Sequence, residues 1–317
     1  MRSALARRLI VFFGTVLAAS VVIFFIIQAL PGDVALTTLG MGASPEAVEA
    51  LRERWGLDRP LIVRYFEWLL GLFHGDLGTS YLTGETVWSQ IGPRLAVTGW
   101  LVGLSMPLSA LVALPLGLVA AMLRRRLSGV LVNALSHIGL AIPVFVVGTV
   151  LTIIFAVKLG WLPANGYVPI GESVGEWARR LILPVTTIVI VQGCFLARYV
   201  RAGFIDVLTE DYYRTARAVG WRRWRGLWRH GLRNMSTSLV TVLGLQLAAL
   251  LVGAILVEQV FVLRGLGSLL IQAVKAQDLM IVQGVSMLLV FAVLTVNFLV
   301  DLAYLAIDPR LRKAVPR

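Results

Sequence analysis

The sequence predicts an all-α polytopic membrane protein with six transmembrane helices, and three observations carry that expectation. Of the 317 residues, 58% are apolar and only 15% charged, with a mean hydropathy of +0.84; a soluble domain carries about 25% charged residues. Six apolar stretches approach or exceed the roughly 20 residues that a helix needs to cross the hydrocarbon core. Lys and Arg collect in alternate connecting segments, the pattern that sets orientation in a bilayer. The whole chain, 1–317, reads as a single transmembrane domain with a large outer loop at 30–95 and a large inner loop at 198–236.

The spans are expected at residues 9–29, 96–123, 130–157, 181–197, 239–257 and 279–307. The first has an apolar run longer than the roughly 7–15-residue core of a signal peptide, and no small-x-small site follows it. It is expected to stay as an anchor. The second and third are long enough to tilt or to project beyond the bilayer. Pro107, Pro115, Pro143 and Pro184 fall in or near spans, where neighbouring helices can satisfy the carbonyls that proline frees.

With the amino terminus inside, the inner segments hold 19 Lys and Arg against four acids (Asp206, Glu210, Asp211 and Asp308), a net +15. The outer segments hold 10 basic residues against 12 acids, a net −2. Both termini are therefore expected in the cytoplasm. The overall charge of +12 is then a topology signal that also meets anionic lipid. No nucleic-acid partner is needed to explain it.

Within the outer loop, Ser44 can cap a helix that has Pro45 at its first position and Glu46 in its first turn. Ala47, Val48, Leu51 and Trp55 follow at helical spacing. A second helix is expected from 61 to 73, with Gly75 and Gly78 behind it. The loop is thus a folded cap. In the inner loop, Phe204, Leu208, Tyr212, Ala216 and Val219 recur every three or four residues and Gly220 stands where a helix C-cap favours glycine. Trp221, Trp224, Leu227, Trp228 and Leu232 then share one side, with Arg222, Arg225, Arg229 and Arg233 on the other. Two short helices broken at Gly220 are expected, the first over 206–219. From pattern alone, they either lie on the bilayer surface or meet another protein.

Catalytic chemistry finds no footing. The sequence has no G-x-x-x-x-G-K-[ST] phosphate loop, no H-E-x-x-H and no G-x-S-x-G elbow. His74, His137 and His230 fall on different segments, and the one cysteine, Cys194, allows neither an internal disulfide nor a cysteine metal site. Asp206, Glu210 and Asp211, beside many arginines, read as a solvated face. No enzyme activity, metal or cofactor is expected. Polar groups in the spans are functional candidates by default: Gln28, Gln192, Gln246, Gln283, Asn297, Glu258 and Asp301. Gln and Asn also join helices structurally. Glu258 stands at the outer end of the fifth span, in reach of water, and Asp301 is close enough to the inner end to pair with an inner-loop arginine.

Several motifs carry a resemblance. Leu30-Pro31-Gly32-Asp33 follows the first span. Leu57-Asp58-Arg59-Pro60-Leu61, Gly75-Asp76-Leu77-Gly78, Pro115-Leu116-Gly117, Ile142-Pro143 and Leu159-Gly160-Trp161-Leu162-Pro163 come in order behind it. The inner loop holds Asp211-Tyr212-Tyr213-Arg214-Thr215-Ala216-Arg217-Ala218-Val219-Gly220 and His230-Gly231-Leu232-Arg233-Asn234. Gly265-Leu266-Gly267, Asn297-Phe298-Leu299-Val300-Asp301 and Asp308-Pro309-Arg310 close the series. Together these resemble bacterial ABC importer permeases of the dipeptide/oligopeptide/nickel family along essentially the whole chain. The Leu-Pro-Gly-Asp start resembles the first of the two permease subunits.

The segment around Gly220 is similar to the "EAA" signature of import permeases. Arg214, Thr215 and Ala216 fill the Glu-Ala-Ala positions and Gly220 keeps its place. The Glu of that signature is absent here, and Arg264 stands where the family tends to have proline. The resemblance implies an importer permease fold in a bacterial inner membrane. It implies a path formed by a heterodimer with a second permease subunit, and two ATP-binding subunits that hold the ATP and dock on the inner loops. An extracytoplasmic substrate-binding protein would deliver cargo. Tyr212, Arg214, Thr215, Ala216, Arg217, Ala218 and Gly220 become candidate ATPase-coupling residues. Pro31, Gly32, Asp33, Gly75, Asp76, Glu258 and Asp301 are the further motif positions. Peptides are the implied cargo, with nickel chelates, haem or oligosaccharides as alternatives. A stand-alone carrier lacks an ion-coupling relay here, and no repeat of about 100 residues supports it.

Overall fold

The computed structural model describes residues 2–29, 34–40 and 42–307. The Leu30–Asp33 motif, Asp308-Pro309-Arg310 and the C-terminal tail lie outside the described residues. Thirteen α-helices form among the described residues: α1 (Arg2–Gln28), α2 (Val34–Leu39), α3 (Pro45–Trp55), α4 (Leu61–Phe73), α5 (Val87–Met122), α6 (Leu127–Ala141), α7 (Val144–Leu151), α8 (Val174–Thr209), α9 (Asp211–Ala218), α10 (Arg223–Gly226), α11 (Leu232–Val260), α12 (Leu266–Ala276) and α13 (Leu279–Ile307). Helix α7 runs on as a π-helical turn, Thr152–Lys158, and a second such turn, Leu227–Gly231, joins α10 to α11 without a break. The one strand-like pairing among the described residues is an isolated bridge between Thr79 and Thr86.

Helices α1, α5, α8, α11 and α13 are long and apolar enough to cross a membrane. The third expected span is different. It is two helices bent by 101°, because Ile142, the residue before Pro143, takes an extended conformation (φ −85°, ψ 123°). The fourth span is longer than expected: α8 covers 36 residues and absorbs 198–209 of the inner loop. The expected second inner-loop helix is the start of the α10–α11 rod and leads into the fifth span.

The chain divides into two compact units. The first comprises 2–98 with 264–295. Its core is Ile27, Leu77, Val87, Ile91, Leu266, Leu269, Ala273, Ile281, Val282 and Val285. Beside it, Phe24, Tyr65, Trp68 and Met287 form an aromatic cluster, with the Ser20 and Tyr65 hydroxyls 3.1 Å apart. The outer-loop helices start and stop as their sequence dictates. Ser44 Oγ accepts from Ala47 N at 3.3 Å, Pro45 leads α3, and Gly56 (φ +66°) ends it. Hydrogen bonds from its own backbone N–H and then the Ser44 hydroxyl hold the exposed Glu46 carboxyl below its usual pKa. Helix α4 keeps the expected 61–73 bounds.

The second unit comprises 99–263 with 296–307. Helix α8 is its axis. It buries Leu183, Pro184, Val185, Thr187, Ile188, Leu196, Ala197, Val200, Phe204 and Val207, among others. Ser173 caps it by accepting from Glu176 N at 3.3 Å. Gly117 lets α5 press onto α8: a Cβ there would lie 2.6 Å from Val200 Cβ and 2.8 Å from the Ala197 carbonyl oxygen. That contact accounts for the glycine of the Pro115-Leu116-Gly117 motif.

Candidate coupling site

The inner-loop candidates sit on α9 and the turn behind it. Helix α8 stops where Glu210 becomes extended (φ −75°, ψ 144°). The chain restarts at Asp211, so the short helix is 211–218; Asp206 and Leu208 belong to α8. This break corrects the expected helix over 206–219. It also shifts the helical phase, so the stripe read through Leu208, Tyr212, Ala216 and Val219 is not one face. Asp211 in the first turn and Arg217 in the last suit the helix dipole. Gly220 takes φ +94° with open space around it, so its requirement is backbone conformation alone. The Arg217 Nη1 donates to the Trp221 carbonyl at 2.5 Å across this turn.

Tyr213 anchors the helix and was not among the candidates. It is 5% exposed and packs with Leu118 and Ala121 of α5, Val200, Phe204 and Val207 of α8, and Leu227 and Met235 of the α10–α11 rod. Its hydroxyl donates to the Arg223 carbonyl at 3.4 Å. A Cβ on Gly226 would come within 3.3 Å of its ring. The opposite face is open. Tyr212, Arg214, Thr215, Arg217, Ala218, Val219 and Gly220 are exposed, and Ala216 is half-buried. Thr215 Oγ1 donates back to the Asp211 carbonyl at 2.9 Å. The Arg214–Asp211 pair, 3.6 Å apart with both side chains exposed, contributes little. Burial first, and the neighbouring Glu210 charge second, push the Tyr212 pKa up, while a hydrogen bond with Asn234 opposes them. Trp224 and Trp228 stack with ring centroids 6.2 Å apart, and the Arg229 guanidinium lies over the Trp221 ring at 5.8 Å.

The remaining motif positions belong to other elements. Gly75-Asp76-Leu77-Gly78 is a turn in the first unit. Gly75 and Gly78 have φ of +78° and +90°, Asp76 Oδ1 accepts from Gly78 N at 2.8 Å, and Leu77 enters the core. Asp278 was missed by the sequence reading. It is 2% exposed, accepts from the Ser80 hydroxyl, and accepts from Ile281 N at 3.5 Å. Its place just before the apolar run from Leu279 was the available signal. Thr98 Oγ1 accepts from Leu266 N at 2.9 Å, seating the Gly265-Leu266-Gly267 motif. Glu258 is 0% exposed, which corrects the expectation that it is wetted: the chain turns over it at 261–263, where Leu263 N donates to its carbonyl at 2.8 Å. Asp301 is exposed on α13. Pro31, Gly32 and Asp33 lie outside the described residues. Among those described, no group of three or more His, Cys, Asp or Glu is placed to hold a metal ion.

Fold and site together define a multi-span helical membrane protein that presents an exposed short helix between two of its spans. The family described as binding-protein-dependent transport system inner membrane component matches residues 113–313, and its N-terminal counterpart matches residues 1–102. The chain belongs to this family: it is a permease subunit of an ABC-type, binding-protein-dependent transport system. A Brucella abortus protein named as a peptide transport system permease is 39% identical over 98% of this chain and 99% of its own. A Sinorhizobium fredii protein named as a peptide ABC transporter permease is 37% identical over 96% of this chain and 98% of its own. The glutathione transport system permease of Pectobacterium atrosepticum is 37% identical over 96% of this chain and 97% of its own.

Proposed function

We propose that this chain forms, with a second permease subunit, the membrane path of an importer for short peptides. An extracytoplasmic binding protein delivers the cargo, two separate ATPase subunits supply the energy, and one of them docks on α9. Both termini then face the cytoplasm. The cargo reading is supported by relatives named for peptide and for glutathione, itself a tripeptide, over nearly the whole chain.

The observation that carries the coupling role is the two-sidedness of α9. Tyr213 is held by α5, α8 and the α10–α11 rod at once, while Tyr212, Thr215 and Val219 face outward. A docked ATPase that shifts α9 therefore pushes on three long helices through one buried ring. Small Thr215, Ala216 and Ala218 allow close approach of a protein surface, whereas a helix held by lipid favours large apolar residues along its stripe.

The test is uptake of labelled di- and tripeptides into proteoliposomes that hold the whole complex. Uptake should require ATP and the binding protein. Uptake of nickel chelates, haem or oligosaccharides in place of any peptide overturns the cargo reading. Ala216→Asp and Gly220→Val should abolish ATPase co-purification or transport while leaving membrane insertion and binding-protein contact intact. If both variants assemble and transport normally, α9 is a lipid anchor.

A further inference from the structure

The break between α6 and α7 opens backbone in the middle of an apolar stretch. Pro143 has no N–H to offer the Gly139 carbonyl, and it leads α7 with no side-chain cap. Non-helical backbone at membrane depth persists only where protein or a water-filled cavity takes up its polar groups. A cavity of 300 Å³ lies beside this break, at the lower end of the about 300–1,000 Å³ of small-molecule sites. Ile142, Pro143 and Val144 form one wall, Ile188 and Gln192 of α8 a second, and Leu250 of α11 a third.

Gln192 stands midway along the 36-residue α8. From α11, Gln246, 9% exposed, donates its Nε2 to Gln192 Oε1 at 2.5 Å. That bond engages the Gln192 carbonyl oxygen, and Gln192 itself lines the cavity. A polar amide in an apolar wall at this depth is costly unless something accepts from it. Apolar walls with one side-chain amide among them fit a ligand that carries carbonyl oxygens and varied side chains, which is the chemistry of a peptide backbone.

We propose that this cavity is a station on the translocation path, where the Gln192 amide donates to a main-chain carbonyl of the passing peptide and Gln246 holds Gln192 in position. The proposal rests on the peptide reading above. It makes the contact indifferent to peptide sequence. A single neutral hydrogen bond, worth about 0.5–1.5 kcal/mol, is also weak enough to release the cargo.

The experiment uses the full complex with its binding protein in proteoliposomes, and begins with tripeptide uptake by the wild type. Absence of that uptake overturns the peptide reading itself, independently of any role for Gln192. Gln192→Leu should lower tripeptide uptake per ATP hydrolysed by about 2–13-fold, the span that bond strength gives. The loss should be equal for tripeptides of different side chains, with partial recovery in Gln192→Asn and an intermediate loss in Gln246→Leu. A photo-crosslinking residue at Val191, on the cavity wall, should capture labelled tripeptide during turnover. The same residue at the exposed Ile190 should not. Unchanged uptake in Gln192→Leu overturns the proposal, as does capture of only lipid or the partner permease from position 191. If Gln192→Leu fails to assemble, the crosslink decides.

Discussion

Tyr212 and Tyr213 are sequence neighbours in opposite surroundings, 38% and 5% exposed. Removing the Tyr213 ring takes a large aromatic out of a packed cluster, a change that costs about 3–5 kcal/mol for comparable side chains. Tyr213→Ala should lower the thermal midpoint of the purified complex by several degrees and reduce uptake per ATP hydrolysed, read by scanning fluorimetry and by transport. Tyr212→Phe should leave the midpoint close to wild type. Gly220 was legible in the sequence because a C-cap glycine is a local backbone demand, and its φ of +94° meets it. Tyr213 was not legible. The extended Glu210 resets the helical phase, so counting from Phe204 assigned the buried face to the wrong tyrosine.

At the scale of elements, the caps divide into those read from sequence and those read from space. Ser44 before Pro45 announces α3 by local chemistry. Asp278 caps α13 and also accepts from Ser80, 198 residues away, so its second role has no local signature. Gln277 before it holds φ +57°, and its Oε1 accepts from Thr37 Oγ1 at 2.5 Å. The α12–α13 turn is thus tied to the outer loop at two points. Loss of a helix cap costs about 0.5–2 kcal/mol, and here it also takes away the acceptor of the Ser80 O–H, which keeps only the bond its oxygen accepts from Thr83 N at 3.1 Å. Asp278→Ala is expected to lower the thermal midpoint by about 2–4 °C for each kcal/mol lost, with Asp278→Asn between the two. Equal midpoints for all three proteins would show that the cap carries no stability.

For the whole molecule, the charge split of +15 against −2 predicts which loops face which compartment. With Cys194 replaced by Ala, a single cysteine at position 85 should react with an impermeant thiol reagent from outside. One at position 126 should react only after the membrane is opened. Labelling of position 85 from the inside alone would invert the topology and move α9 to the wrong face for an ATPase. The split is large enough to survive the displaced element boundaries, because α8 absorbs basic and acidic residues of the same inner segment.

The sequence by itself determined the number of apolar stretches, the capped helix α3 and the bounds of α4 in the outer loop, and the glycine turn at 220. Each follows from composition or from contacts within a few residues. Tertiary structure decided which proline breaks its helix. Pro107, Pro115 and Pro184 lie inside continuous α5 and α8, whereas Pro143 separates α6 from α7 at 101°. All four remove the same kind of backbone hydrogen bond, yet only Ile142 before Pro143 leaves the helical conformation. Tertiary structure also buried Glu258, joined Gln192 to Gln246 across 54 residues and turned Tyr213 inward. Burial and side-chain pairing depend on elements far apart in the chain, and a one-dimensional pattern of apolar residues holds no record of which of them meet.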